Sequence, residues 1–246
     1  MNQIRMLRSI DDAVEASTLD FFVMNTGRPW SLVRNIVQHF KSSKLRYCLL
    51  EHACVLYDRE TDRTIDCAAL AKRYGFVALA DRYENIRIIE KLIAWYRARG
   101  QAQLEAHYGV DLSPIEKFGN LSFVIPVEAD GGEVLQRIES LARADLDPLQ
   151  IDQLDFVRSD RYIDVLPGIH KLDGIHLLTK HLGVALNEAM AVGDYLNDLT
   201  VFECFDQVMC PANAHPDIQA LARSKGSGGF VSRLSYGAAL LQLLSD

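Results

Sequence analysis

The stretch EAMAVGDYLND, residues 188–198, carries the reading of the fold. Its apolar part, AMAV, is a short run of the kind that forms a strand buried on both faces of a parallel sheet. Asp194, Asn197 and Asp198 follow at once, where that strand should end. Ligands of open parallel sheets bind at the carboxyl ends of strands. Either acid alone suits a turn or a helix cap. Two of them around an asparagine suit a hard cation held by oxygen ligands.

On both sides of this stretch, helical and strand patterns alternate. KLDGIHLLTKHLG (171–183) reads as a helix with Gly183 as its stop signal. NDLTVFECF is a short helix, DQVMC a strand, and HPDIQALARSK a helix with Pro216 in its first turn. YGAALLQLLSD is a closing helix. Near the start, IRMLRSIDDAVEAS reads as a helix and LDFFVMN as a buried strand running into TGR. SLVRNIVQHF puts Leu32, Val33, Ile36, Val37 and Phe40 on one helical face. In LRYCLLEHACVLYDRETDRTID two apolar runs flank Glu51 and His52, and the polar DRETDR leads to a further short strand; the segment reads as a strand followed by a hairpin.

The middle of the chain differs. Residues 85–106 are helical, with Ile86, Ile89, Ile93 and Tyr96 spaced for one face and Gly100 weakening the last part. NLSFVIPV is a strand, GEVLQRIESLARA an amphipathic helix, and QLDFVRS and RYIDVLP two strands joined at Ser159-Asp160. This is antiparallel α+β in character. The expected organisation is therefore a Rossmannoid α/β core, a parallel sheet with helices on both faces, interrupted by an inserted α+β unit. Residues 1–80 form the first part of the core, 81–160 the insert, and 161–246 the second part of the core.

Composition narrows the function. Hydrophobic residues make up 49% of the 246, and 26 Lys and Arg face 33 Asp and Glu, for a formal charge of −7. That balance argues against a nucleic-acid surface, which needs a basic patch. No apolar stretch is long enough to span a bilayer. The five cysteines are odd in number and without CxxC spacing, which points to a reducing, cytoplasmic compartment rather than a disulfide or zinc framework.

Four polar segments fall at strand ends: NTGR, GIHK, GDYLND and CPANA. An isolated Thr26-Gly27 is more often a helix cap or turn. Lys171 at a helix start runs against the dipole preference, which raises the case for an anion there. Their order carries more than any one of them. VMNTGRP, LLEHACVLYD, IDVLPGIHKLDGIHLLTKHLGV, AVGDYLNDLTVFE and PANAHPDIQALA, spread over about residues 21 to 223, resemble the haloacid dehalogenase superfamily. They are most similar to its subclass IIB, or Cof-type, branch, which includes sucrose-phosphate and mannosyl-3-phosphoglycerate phosphatases.

The resemblance implies a Mg²⁺-dependent phosphatase acting on a phosphorylated sugar or other small metabolite, with the inserted unit as a cap. Thr26 would bind the transferring phosphoryl group and Lys171 would neutralise its charge. Asp194 would be the principal Mg²⁺ carboxylate, with Asp198 as a further ligand or partner. Gly27, Arg28, Asn197 and Asn213 would line the substrate site. It leaves homo-oligomerisation open and calls for neither a nucleic acid nor a membrane. Phosphoryl transfer depends mainly on positioning and on cations opposing oxygen charge, which a lysine and a magnesium ion supply.

Departures from the family pattern shape the expectation. His52-Ala53-Cys54 stands where Asn-Gly-Ala is usual, so the local turn should differ, and Leu172 follows Lys171 where Gly is common. The first strand with its DxDxT motif, which supplies the aspartate nucleophile, has no counterpart in the sequence. Asp11-Asp12 lacks a preceding apolar strand and reads as two exposed acids on a helix. A gap should therefore open beside the LDFFVM strand. The alternative is a catalytically inactive or N-terminally truncated relative that binds phosphorylated ligands. A plain nucleotide-binding Rossmann protein is disfavoured, because no GxGxxG follows a strand.

Overall fold

The computed structural model describes residues 3–108, 114–125, 129–159 and 162–245. Along the chain, α1 (Gln3–Ala16) leads to β1 (Met24–Asn25), α2 (Trp30–Val37), β2 (Tyr47–Leu50), β3 (Val55–Asp58) and β4 (Arg63–Ile65). Next come α3 (Cys67–Arg73), α4 (Val77–Glu84), α5 (Ile86–Trp95), α6 (Gln101–Tyr108), β5 (Pro114–Glu116) and β6 (Leu121–Val124). They are followed by α7 (Gly131–Asp145), α8 (Pro148–Ile151), β7 (Asp155–Ser159) and β8 (Tyr162–Leu166). The last part holds α9 (Lys171–Leu182), β9 (Met190–Val192), α10 (Leu199–Cys204), β10 (Gln207–Cys210), α11 (Pro216–Ser224), β11 (Gly229–Val231) and α12 (Gly237–Ser245). Two compact units result: Met1–Ile65 with Lys171–Asp246, and Asp66–His170. The second unit takes in α3 and α4, which an insert of 81–160 leaves outside or cuts.

In the first unit, β2 shows why its sequence is continuously apolar. Cys48 and Leu50 join a cluster with Ile10, Val14, Val33 and Val37 from α1 and α2. Tyr47 and Leu49 meet α9 instead, Tyr47 through an edge contact with the His181 ring and Leu49 beside Gly174. A strand covered on both faces has no polar face to show. β1 and β2 are parallel, and β3 and β4 continue the same sheet as antiparallel hairpins. β9, β10 and β11 form a second, all-parallel sheet in the order β11-β10-β9.

Among the described residues, β1 pairs only with β2, and β9 only with β10. The open edge expected beside β1 is thus present, and a second one lies along β9, where Met190 and Val192 are 41% and 46% exposed. One-sided pairing also shortens β1. The expected strand of residues 19–25 keeps ladder geometry only at Met24 and Asn25, and Leu19 and Phe21 are exposed. On α2, Val33 and Val37 face the core as expected, with Phe40 beyond its end, but Leu32 is half exposed. It falls outside the stripe that the sheet can cover.

Asp11 corrects the reading of two exposed acids. Asp12 is exposed, but Asp11 is buried and accepts the backbone N–H groups of Lys41 and Ser42 at 2.7 and 2.9 Å. It lies one residue from Ile10 in the apolar stripe of α1, so burial follows from helical phase, and the two donors make that burial tolerable. Asp11→Ala should lower stability by about 1–3 kcal/mol, since it strands the buried Ser42 N–H and frees the part-buried Lys41 N–H. Urea denaturation measures the loss; no change would mean that the pair of bonds is solvated.

The second unit packs helices on one face of an antiparallel sheet ordered β5-β6-β8-β7. Leu121, Phe123, Ile163 and Val165 point to the helices, against Ile89, Leu92, Val134 and Ile138 among others. The alternate positions carry Ser122 and Asp164, directly opposite each other and hydrogen-bonded, with the Lys117 ammonium 3.4 Å from the Asp164 carboxylate. The helical stripe differs from expectation. Ile88, Ile89, Leu92, Trp95 and Tyr96 are buried, in place of Ile86, Ile89, Ile93 and Tyr96. The phase that buries Trp95 removes more apolar area from water. A π-helical turn, Tyr96–Gly100, follows, and a Cβ at Gly100 would press on the Trp95 ring. The residues Pro126-Val127 and Asp160, read as a strand end and a turn, lie outside the described residues.

Candidate active site

Three chain segments of the first unit bring the expected residues together. Thr26 leaves the carboxyl end of β1, Lys171 opens α9, and Asp194 follows β9. The Asn25 amide donates to the Lys171 carbonyl at 3.4 Å, so the end of β1 and the start of α9 meet. The Lys171 ammonium donates to Asp198 Oδ1 at 2.6 Å, and the Asp194 N–H donates to Asp198 Oδ2 at 3.2 Å. Thr26, Lys171 and the acidic loop therefore share one end of the strands.

Local sequence explains these placements. Lys171 and Gly174 are one turn apart on the buried face of α9, which forces the lysine inward. Its side chain keeps 7% exposure and that of Asp198 14%. Gly193 allows the acidic loop to fold back, because a Cβ there would lie within 2.6 Å of Asp198 Oδ2. The His215 N–H donates to the Asp194 carbonyl at 2.8 Å and fixes the loop from the other side. One formal positive charge thus faces two negative ones. Desolvation and the neighbouring Asp198 charge push the Asp194 carboxyl above its ordinary range, while Lys171 pulls it the other way.

The Thr26 turn is built around β2. The Thr26 N–H donates to the Leu49 carbonyl at 2.9 Å, and the Arg28 N–H to Thr26 Oγ1 at 3.2 Å. Where β2 ends, Glu51, His52 and Ala53 turn left-handed, with φ of 54°, 58° and 75°. None is a glycine, and such residues cost of order 1–3 kcal/mol each, so the surroundings must hold them there. The Glu51 N–H donates to the Arg28 carbonyl at 3.3 Å and the His52 N–H to the Thr26 carbonyl at 3.2 Å.

Three other expected residues are exposed. Asn213 is exposed and accepts the Tyr236 N–H at 2.8 Å, which holds the loop before α12. Asn197 and Arg28 are exposed. Asn25, which stands beside Thr26 in NTGR, is not among the residues that the sequence marks. Its Oδ1 is buried and accepts no hydrogen bond. Sequence offers no sign of this, because an asparagine before Thr-Gly reads as a turn residue.

Comparison with known proteins bears on the fold and on the family likeness. Residues 132–225 match the family model of haloacid dehalogenase-like hydrolases. The chain is thus similar to that family over well under half of its length. Its fold matches the sucrose-phosphatase of Synechocystis sp. PCC6803 with a TM-score of 0.62, 17% identity, and coverage of 100% of this chain and 92% of that one. A haloacid dehalogenase-like hydrolase from Bacteroides thetaiotaomicron also gives 0.62, at 15% identity over 98% of this chain and 90% of that one. In sequence, the chain is 37% identical over 59 residues to the HMP-PP phosphatase of Escherichia coli. That match spans 24% of this chain and 22% of the phosphatase. Among the described residues, no helix is long and apolar enough to cross a membrane.

Proposed function

We propose that the chain is a Mg²⁺-dependent phosphatase-type protein acting on the phosphate monoester of a sugar or other small metabolite. The observation that carries this reading is the buried Lys171–Asp198 pair joined to Asp194 beside the Thr26 turn. Thr26 Oγ1 and the turn would orient the phosphoryl group. Lys171 would oppose its oxygen charge from a site with little water, where a cation acts most strongly. The inserted unit would serve as the cap that selects the leaving group.

The donor set fits magnesium modestly. Both Asp198 oxygens are engaged, by Lys171 and by the Asp194 N–H, which leaves the Asp194 carboxylate as the principal ligand. Among the described residues there is no group of three or more His, Cys, Asp or Glu placed to hold a metal. Mg²⁺ is commonly held by one or two carboxylates with several waters and substrate phosphate, so weak binding at Asp194 is the expected behaviour. Bound there, the ion would supply further neutralisation of phosphoryl oxygen charge.

A second reading, binding without turnover, is favoured by one observation. Asp11 is committed to Lys41 and Ser42, and β1 ends in Asn25, so neither offers a nucleophilic carboxylate beside Thr26. The deciding experiment assays purified chain with Mg²⁺ against a panel of sugar phosphates, alongside Lys171→Met and Asp11→Asn. Turnover lost in Lys171→Met supports the phosphatase. Phosphate binding without turnover supports the second reading. Turnover abolished by Asp11→Asn, with the fold intact, would overturn the placement of the site.

A further inference from the structure

The left-handed turn at Glu51–Ala53 touches both halves of the candidate site. On one side, a Cβ at Gly27 would collide with the His52 imidazole, so the ring lies flush against the Thr26–Arg28 turn. On the other, a Cβ at Gly174 would collide with that of Ala53, so the turn also seats the first helical turn of α9, which carries Lys171. His52 and Ala53 are buried, and so is Glu51. Two glycines of the site are thereby explained by two neighbouring side chains of a third segment.

We propose that this turn is a gauge that sets Thr26 against Lys171, with His52 as the positioning residue for the Thr26–Arg28 turn and Ala53 as the seat of α9. The proposal rests on the reading of Thr26 and Lys171 as phosphate-binding residues. Three features support it. Both outward carbonyls of the Thr26 turn, those of Thr26 and Arg28, are taken by the N–H groups of His52 and Glu51. That fixes the Thr26–Gly27 and Arg28–Pro29 peptide planes, which bracket the turn. Three successive non-glycine residues hold a backbone form that glycine or asparagine would adopt with less strain. Lys171 and Gly174 share one helix face, so displacement of Gly174 from Ala53 would move the ammonium with it.

The test uses His52→Gly, Gly174→Ala and the reciprocal pair Ala53→Gly/Gly174→Ala in the full chain. Inorganic phosphate is titrated by NMR, amide exchange is followed at Thr26, Gly27 and Arg28, and Tm is recorded. His52→Gly relieves strain, so its Tm should hold or rise. Its phosphate affinity should nevertheless fall about tenfold or more, the size of loss expected when a supporting residue is removed, and exchange at Gly27 and Arg28 should speed up. Gly174→Ala should lower both Tm and affinity, and addition of Ala53→Gly should recover both. His52→Gly with parental exchange at Thr26–Arg28 would overturn the gauge, as would a Gly174→Ala variant that Ala53→Gly fails to rescue. If the parent chain binds no phosphate, the reading of the site fails, while the exchange data still decide whether His52 positions the turn.

Discussion

Replacing Lys171 by methionine is expected to cost about 3–5 kcal/mol of stability, because it leaves a buried carboxylate without its cation. Phosphate binding should be lost with it. The Lys171–Asp198 pair is short, at 2.6 Å, and nearly shielded from solvent. A buried pair of this kind is not in itself a large gain over apolar residues of the same size, since both charges gave up hydration to form it. Removal of one partner is another matter. The Asp194 N–H, at 3.2 Å, still donates to Asp198, but a single amide does not replace an ammonium. Lys171→Met/Asp198→Leu should therefore recover most of the stability and none of the phosphate binding. Urea denaturation and a phosphate titration of the two variants separate these effects. Equal stability of Lys171→Met and the parent would show that the pair is solvated in solution.

Asp194→Asn is expected to abolish the magnesium response and, without metal, to raise Tm at neutral pH. The folded chain holds the Asp194 carboxyl above its ordinary range, through desolvation and the Asp198 charge, with Lys171 opposing. Folded protein therefore binds that proton more tightly than the unfolded chain does. The ionised group costs stability at neutral pH, and the cost disappears as pH falls through the raised folded value. The Tm gap between Asp194→Asn and the parent should be widest at neutral pH and should close in acid. Magnesium should close it from the other side, by stabilising the ionised parent. A gap that is flat with pH would deny the charge repulsion. Calorimetric Mg²⁺ titrations that do not differ between the two chains would remove Asp194 from any metal site.

Much of this protein was legible in its sequence because the signals are local. Period-3.6 patterns placed α2, α7, α9 and α11, and Gly183 ended α9 in a left-handed residue, as its type suggests. Short apolar runs placed β2, β9 and β10. Polar groups at the ends of β1 and β9 mark Thr26, Asp194 and Asp198, since strand-to-helix junctions are where a parallel sheet exposes chemistry, whereas Lys171 follows β8 of the antiparallel sheet.

The tertiary structure decided what depends on residues far apart in the chain. Asp11 is buried because Lys41 and Ser42, some thirty positions on, turn two N–H groups toward it. The stripe of α5 runs through Trp95 because the sheet of the second unit rewards the larger buried area. Asn213 serves Tyr236 rather than standing free. The Glu51–Ala53 turn adopts a form that its residues do not prefer, held by Thr26 and Arg28 on one side and Gly174 on the other. Sequence pattern records the preference of each segment for helix, strand or turn. It does not record which distant neighbour overrides that preference, because the energy of such an override exists only once the two segments are in contact.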